Sequence, residues 1–225
     1  MTTIGFIGTG KIGATVARMA VTAGHDVVLS NRRGPQSLHE LAGDLGPRAV
    51  AATPEQAARA GEIVVLAVPL EAYRQIPAGP LRGKVVIDTA NYKPAEHPGR
   101  LPDADSGVTT PHELMQHHLP GSFVVKALAN MFFRHLPDLA RPAGAPDRST
   151  LPIAGDDPDA KAAVSALLDS LGYDTLDAGP LAESRRFATF GTPANQAYLD
   201  PEGMFAVPGH PAPATRIAEL LRSVP

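Results

Sequence analysis

Ile4-Gly5-Phe6-Ile7-Gly8-Thr9-Gly10-Lys11-Ile12-Gly13 is an apolar run that breaks into a G-x-G-x-x-G pattern at Gly8, Gly10 and Gly13. The run is short enough for a buried strand. Beyond it Ile12, Val16, Met19 and Ala20 recur near a 3.6-residue period until Gly24, so the glycines fall at a strand-to-helix turn. In that context Gly8 permits the tight turn, Gly10 lets backbone approach a pyrophosphate, and Gly13 allows the helix to pack closely on the strand. The helix start adds unpaired N–H groups that face an anion. The stretch predicts a dinucleotide site at the first turn of a doubly wound α/β fold.

Working outward, residues 27–30, 49–51, 63–68 and 85–88 are apolar runs of the kind that form strands buried on both faces. Helical patterns over 12–23, 37–45 and 54–60 separate them, the last opening on Thr53-Pro54, a cap followed by a first-turn proline. This alternation predicts parallel strands joined by crossover helices. The segment from Lys93 to Gly107, with Pro94, Pro98 and Pro102, reads as an irregular excursion, and a helix at 112–118 then leads into a sixth strand at 123–126. After a break at 137–149, a strand at 151–154, a helix at 158–171 and a strand at 173–177 make one more βαβ-like unit. A proline-rich tail from Gly191 regains helical character at 214–222. The expected fold is α/β, a doubly wound, mostly parallel Rossmann sheet. Residues 1–136 are expected to form the dinucleotide domain and 137–225 a smaller αβ extension with the tail.

Composition narrows the chemistry. The 225 residues are 44% hydrophobic and 19% charged, ordinary values for a folded domain. The absence of cysteine excludes disulfides, thiolate nucleophiles and Cys-ligated zinc or iron–sulfur sites. A net charge of −3 gives no field to attract nucleic acid or anionic lipid. The longest clean apolar run, Ile63 to Leu70, is far short of the roughly 20 residues a spanning helix needs, and the N-terminus lacks a basic leader pattern. A cytoplasmic protein with no nucleic-acid or membrane partner is expected.

Dinucleotide choice is read at the end of the second strand. An NAD site usually places an Asp or Glu there to accept from the ribose 2′-hydroxyl. Here the strand ends Ser30-Asn31-Arg32-Arg33, two small polar groups and two guanidiniums suited to a 2′-phosphate, so NADP(H) is expected. The reactive end of such a cofactor lies at the carboxyl ends of the later strands, here Val68-Pro69-Leu70, Thr89-Ala90-Asn91 and Lys126 to Asn130. Asn91 and Asn130 have groups for a carboxamide or a substrate carbonyl, and Lys126 for a proton or an acid; each also has a plain reading as a capping or core-edge residue. His112, His117 and His118 around Glu113 suggest a metal, but Gln116 stands where a His-Glu-x-x-His motif needs its second histidine. No metal site is expected, and the helix reads as solvated. Neither a Gly-x-Ser-x-Gly elbow nor a Tyr-x-x-x-Lys pair is present, and no side chain is assigned a catalytic role.

Several stretches in order, Ile4 to Gly13, Ser30 to Arg33, Ala67-Val68-Pro69, Val85 to Asn91, Leu119-Pro120-Gly121, Val124-Val125-Lys126-Ala127, Ala154-Gly155-Asp156-Asp157 and Asp177-Ala178-Gly179-Pro180-Leu181, resemble the NADPH-dependent reductases of the deazaflavin coenzyme F-420 (F420). The resemblance implies an enzyme that binds NADP(H) and transfers hydride to or from the deazaflavin, a small-molecule redox partner, as a homodimer. It places Thr9, Gly10, Lys11 and Ile12 at the pyrophosphate, Asn31, Arg32 and Arg33 at the 2′-phosphate, and Pro69 and Leu70 near the nicotinamide half. One departure lies where the second substrate would sit: the family commonly continues Val-Val-Lys-Ala-Phe-Asn, whereas Leu128-Ala129-Asn130 and then Met131-Phe132-Phe133 follow here.

Other readings stay open at this stage. Lys126 and Asn130 echo the Lys and Asn pair of β-hydroxyacid dehydrogenases, which points to an imine or carbonyl reductase, although too few residues remain for the helical domain of those enzymes. A resemblance to the reductase domains of membrane metalloreductases would make a flavin the acceptor. A non-catalytic NADP(H)-binding sensor is a third reading.

Overall fold

A computed structural model of the chain describes residues 1–92, 101–188, 192–199 and 209–224. Along the chain run β1 (Thr3–Ile7), α1 (Lys11–Thr22), β2 (Asp26–Ser30), α2 (His39–Leu45), β3 (Ala49–Ala51), α3 (Pro54–Ala60), β4 (Ile63–Leu66), β5 (Val85–Asp88), α4 (Pro102–Asp105) and α5 (Pro111–His118). β6 (Phe123–Lys126), α6 (His135–Leu139), β7 (Thr150–Gly155), α7 (Pro158–Ser170), β8 (Asp174–Asp177), α8 (Arg185–Ala188) and α9 (Ala214–Arg222) follow. The strands form one sheet in the order β3-β2-β1-β4-β5-β6-β7-β8.

All neighbours pair in parallel except β6 and β7, which meet antiparallel through Val125 with Gly155 and Lys126 with Ala154. This is an α/β, doubly wound, mostly parallel sheet. The position expected to divide the chain, 136/137, falls between two strands that are partners in that sheet. The chain reverses after β1, running outward to β3 and then back to β4 on the other side of β1, which opens a crevice at the carboxyl ends of β1 and β4.

Period-two alternation distributes the core. Ile4 and Phe6 of β1 and Ile63 and Val65 of β4 join the cluster that includes α1, α6, α7 and α9. Ile7, Val64 and Leu66 face the opposite side with Ala58 of α3 and Met115 of α5. Gly5 shares that second face, where a Cβ would lie 2.2 Å from the Ala57 carbonyl oxygen, so α3 approaches the sheet only because the side chain is missing. Thr53 and Gln56 cap α3 reciprocally, Thr53 Oγ1 accepting from the Gln56 amide at 3.2 Å and Gln56 Oε1 from the Thr53 amide at 2.9 Å.

Two local readings change. Within the expected irregular excursion, 93–100 lies outside the described residues, and Pro102–Asp105 is a one-turn helix. The described residues of the proline-rich tail, 192–199 and 209–224, pack against the sheet. Tyr198 is wholly buried, and the Thr150 amide donates to the Ala212 carbonyl at 2.8 Å. Among the described residues no helix is long and apolar enough to cross a membrane.

Candidate functional site

At the end of β1 the chain turns through Gly8, whose φ of 101° lies in the region that favours glycine and whose amide donates to the Ser30 carbonyl at 2.9 Å. This bond ties the β1 and β2 exits together. Gly13 brings α1 down onto the turn, since a Cβ there would lie 2.2 Å from the Gly8 oxygen. Gly10, by contrast, has no atom within 4 Å of a Cβ position. Its missing side chain serves no packing role and leaves open space beside the backbone. Ala14 donates to the Gly10 carbonyl at 2.9 Å as the first helical bond, so the Lys11, Ile12 and Gly13 amides have no intrahelical partner. The first turn carries no acidic residue, and Thr9 Oγ1 is buried with no hydrogen-bond partner among the described residues. These features fit an anionic group laid on the turn. Lys11 Nζ stands 5.5 Å from the centre of the Phe133 ring.

The β2 exit divides the expected anion cluster. Ser30 is not part of it: the residue is 0% exposed, and its hydroxyl donates to the Phe6 carbonyl at 2.7 Å, making it a strut between strands. A small polar residue at a strand end has the same sequence signature in either role. Asn31 shapes the loop, Oδ1 accepting from the Arg33 amide at 2.8 Å and Nδ2 donating to Ser37 Oγ at 3.0 Å. Arg32 and Arg33 are exposed and, among the described residues, their guanidiniums have no hydrogen-bond or ion-pair partner.

Further along the same sheet edge lies a cavity of about 180 Å³, walled by Ile12 of α1, Thr89 and Asn91 beyond β5, residues 128–133 beyond β6, and Leu199 of the tail. Val68 is half-buried and Pro69 exposed at the β4 exit, but Leu70 is buried in the second core cluster. A leucine at that position reads equally as core or contact. Leu128 has φ 60°, the one non-glycine positive φ among the described residues, a conformation that costs about 1 kcal/mol. No glycine or asparagine marks it in the sequence. The kink precedes Ala129, whose carbonyl accepts from Asn91 Nδ2 at 2.6 Å and so joins the β5 and β6 exits.

Lys126 does not reach the cavity. It is 0% exposed, with Nζ bonded to the Ala90 carbonyl and 3.9 Å from Asp88 Oδ1. His112 is also buried rather than solvated, its Nδ1 2.6 Å from Asp88 Oδ2, and the Ala90 amide donates to Asp88 Oδ1 at 2.9 Å. Asp88, Lys126 and His112 thus form one sealed network below the strand ends. The sequence could not join them because Asp88 and Lys126 become neighbours only through β5–β6 register.

Burial opposes the charge on Asp88, but Lys126, His112 and the Ala90 amide outweigh it and hold the carboxyl down to about 2. Burial pushes Lys126 down to about 8 against the pull of Asp88. Burial, then the Lys126 charge, lowers His112 as well. As pH falls, the unfolded chain therefore takes up protons before the folded one, at His112 below its ordinary 6.5 and at Asp88 below its ordinary 3.8. We expect stability to decline in two stages on acidification, the Asp88 stage amounting to roughly 2 kcal/mol between pH about 4 and about 2. Urea unfolding from neutral pH down through that range checks it, and His112→Gln should remove the upper stage and shrink the lower one, since His112 is among the groups that hold Asp88 down.

Comparison with known proteins places this geometry. Residues 3–92 match the family model described as NADP oxidoreductase coenzyme F420-dependent. A solved structure of the hypothetical protein SMa0349 from Sinorhizobium meliloti is 31% identical, covers 85% of this chain and 91% of that one, and superposes with a TM-score of 0.72. Another, described as a candidate F420-dependent NADP reductase from Arthrobacter sp. FB24, is 27% identical over 82% of this chain and 88% of that one, with a TM-score of 0.69. Rat metalloreductase STEAP3 (Rattus norvegicus) is 31% identical over 186 residues, 81% of this chain; the chain spans only 35% of that curated relative.

Proposed function

We propose, on the premise that this chain belongs to the family of NADP oxidoreductases described as coenzyme F420-dependent, that it moves hydride between NADP(H) and a flat deazaflavin-type acceptor at the cavity beside α1. One observation carries the choice of chemistry: among the described residues, no ionisable side chain lines the cavity. Reduction of a carbonyl or imine ordinarily needs a positioned proton donor, whereas hydride transfer between two stacked rings depends on proximity and orientation. Lys126, the group that would have served as donor, is sealed beneath the strand ends.

The residues present fit the dinucleotide. The open side of Gly10 and the free amides of Lys11 to Gly13 suit the pyrophosphate, and the unpartnered guanidiniums of Arg32 and Arg33 suit the 2′-phosphate. Bound NADPH supplies the hydride from its nicotinamide ring. Ile12, Leu128, Met131 and Phe132 give the cavity an apolar wall against which a flat ring can lie, and the Asn91–Ala129 bond joins the strand exits that line it.

A second acceptor, a flavin, is what the resemblance to metalloreductase reductase domains implies, and the 31% identity to the rat metalloreductase supports that resemblance. Mixing the purified chain with NADPH and either coenzyme F420 or free flavin separates the two. Bleaching of the deazaflavin band at a rate at least about tenfold above the flavin rate is the expected result. Equal or faster flavin reduction would reassign the acceptor, and tight NADPH binding without turnover of either would leave only a binding protein.

A further inference from the structure

Where β5 and β6 end, the Ala127 amide donates to the Asp88 carbonyl at 3.3 Å. Beyond that bond the two chains become separate parts of the cavity wall, Thr89 and Asn91 from one and residues 128–133 from the other. Side chains continue the pairing there. Lys126 reaches from β6 to the Ala90 carbonyl, and Asn91 Nδ2 reaches back to the Ala129 carbonyl at 2.6 Å. The Ala90 amide donates to Asp88 Oδ1 at 2.9 Å, while His112 Nδ1 lies 2.6 Å from Asp88 Oδ2, so the carboxylate is fixed at both oxygens. The peptide groups on either side of Ala90 are therefore held by one ion pair, whose members are both 0% exposed.

A pair this deep is a poor way to add stability, because desolvation offsets its attraction and apolar side chains of similar volume do as well. What it adds is direction: charge-assisted bonds fix where a chain runs more firmly than apolar contact does. We propose that Lys126 and Asp88 are positioning residues, clamping Ala90 so that Thr89 and Asn91 stay at a set distance from residues 128–133 across the cavity. Neither side chain lines the cavity, so both act through the backbone of Ala90. This rests on the reading of the cavity as the place where hydride passes between stacked rings. A displacement of about 1 Å in such a site costs on the order of 100-fold in rate.

Two variants separate placement from stability. Asp88→Ala leaves a buried charge without its partner and is the less stable protein, but Lys126 can still hold the Ala90 carbonyl. Asp88→Ala, Lys126→Met is the more stable of the two, yet it has neither bond to Ala90. Two quantities are read at saturating NADPH. One is the emission of the bound reduced nicotinamide, which rises above that of the free dinucleotide when its ring is held against an apolar wall. The other is turnover of coenzyme F420 per bound NADPH, with sites counted by calorimetry. Both should be lowest in the double variant, turnover falling about 10- to 100-fold below the unaltered chain. The NADPH dissociation constant should stay within a few fold, since the glycine turn and the arginines at the β2 exit are untouched. Emission and turnover that instead follow the urea midpoints, higher in the double variant than in Asp88→Ala, overturn the proposal. So does a double variant that matches the unaltered chain in both. An unaltered chain that reduces neither coenzyme F420 nor flavin overturns the hydride-transfer reading, and the order of emission still decides the clamp. Absence of NADPH binding to the unaltered chain overturns both together.

Discussion

Asp88→Ala is expected to destabilise the protein by about 3 to 5 kcal/mol, among the largest effects open to a single substitution away from the apolar core. The alanine leaves the Lys126 ammonium with the Ala90 carbonyl but no countercharge, in a position with no access to water. Either the charge stays buried or the lysine gives up its proton, and both outcomes cost stability. Lys126→Met should be milder, because Asp88 keeps the Ala90 amide at 2.9 Å and His112 at 2.6 Å. With the lysine charge gone, His112 should also take up a proton at higher pH, visible in its ring proton shifts. The double variant Asp88→Ala, Lys126→Met removes both charges and should recover much of the loss. Urea midpoints for the three proteins complete the cycle. A cost below about 1 kcal/mol for Asp88→Ala would mean that the network is not charged as described.

The parts of the fold that rest on local pattern were legible in the sequence. The buried strands are uninterrupted apolar runs, and Thr53-Pro54 marks the start of α3 where the structure caps it. Gly8, Gly10 and Gly13 could be assigned separate purposes because strand-turn-helix context fixes what each backbone must do. The features that depend on which residues meet across the sheet were not legible. Ser30 and Asn31 are adjacent polar residues, yet one is turned under the sheet and the other shapes a loop, a distinction set by strand pleat and pairing. Lys126 looked available because a single charged residue after an apolar run usually is, and His112 looked solvated because its helix also carries Glu113, His117 and His118. Only the β5–β6 register, which sets Asp88 beside Lys126, shows them to be mutually satisfied. In the tail the helix at 214–222 was legible, but the prolines before it say only that the segment is irregular, not that Tyr198 bonds Thr150 and Asn130.

Replacing Arg32 and Arg33 together by glutamate should abolish measurable NADPH binding while leaving affinity for NADH within a few fold. Both guanidiniums are exposed and unpartnered among the described residues, so neither supports the fold, and their removal should not move the unfolding midpoint. Each charge-assisted contact to a phosphate is worth roughly 10- to 100-fold in affinity. Two lost contacts with two new carboxylates facing a dianion therefore exceed three orders of magnitude at low salt. NADH has a hydroxyl where NADPH has that phosphate, so nothing it uses is removed, and a carboxylate beside the ribose can accept from the hydroxyl as acids do in NAD sites. The exchange should run furthest in the single variant Arg32→Glu or Arg33→Glu whose carboxylate reaches the ribose. The Asn31 bonds to Arg33 N and Ser37 keep the loop in place as either side chain changes. Calorimetric titration with the two dinucleotides, repeated at high salt, separates charge from shape. A parallel loss of NADPH and NADH would show that the arginines order the loop rather than bind the phosphate.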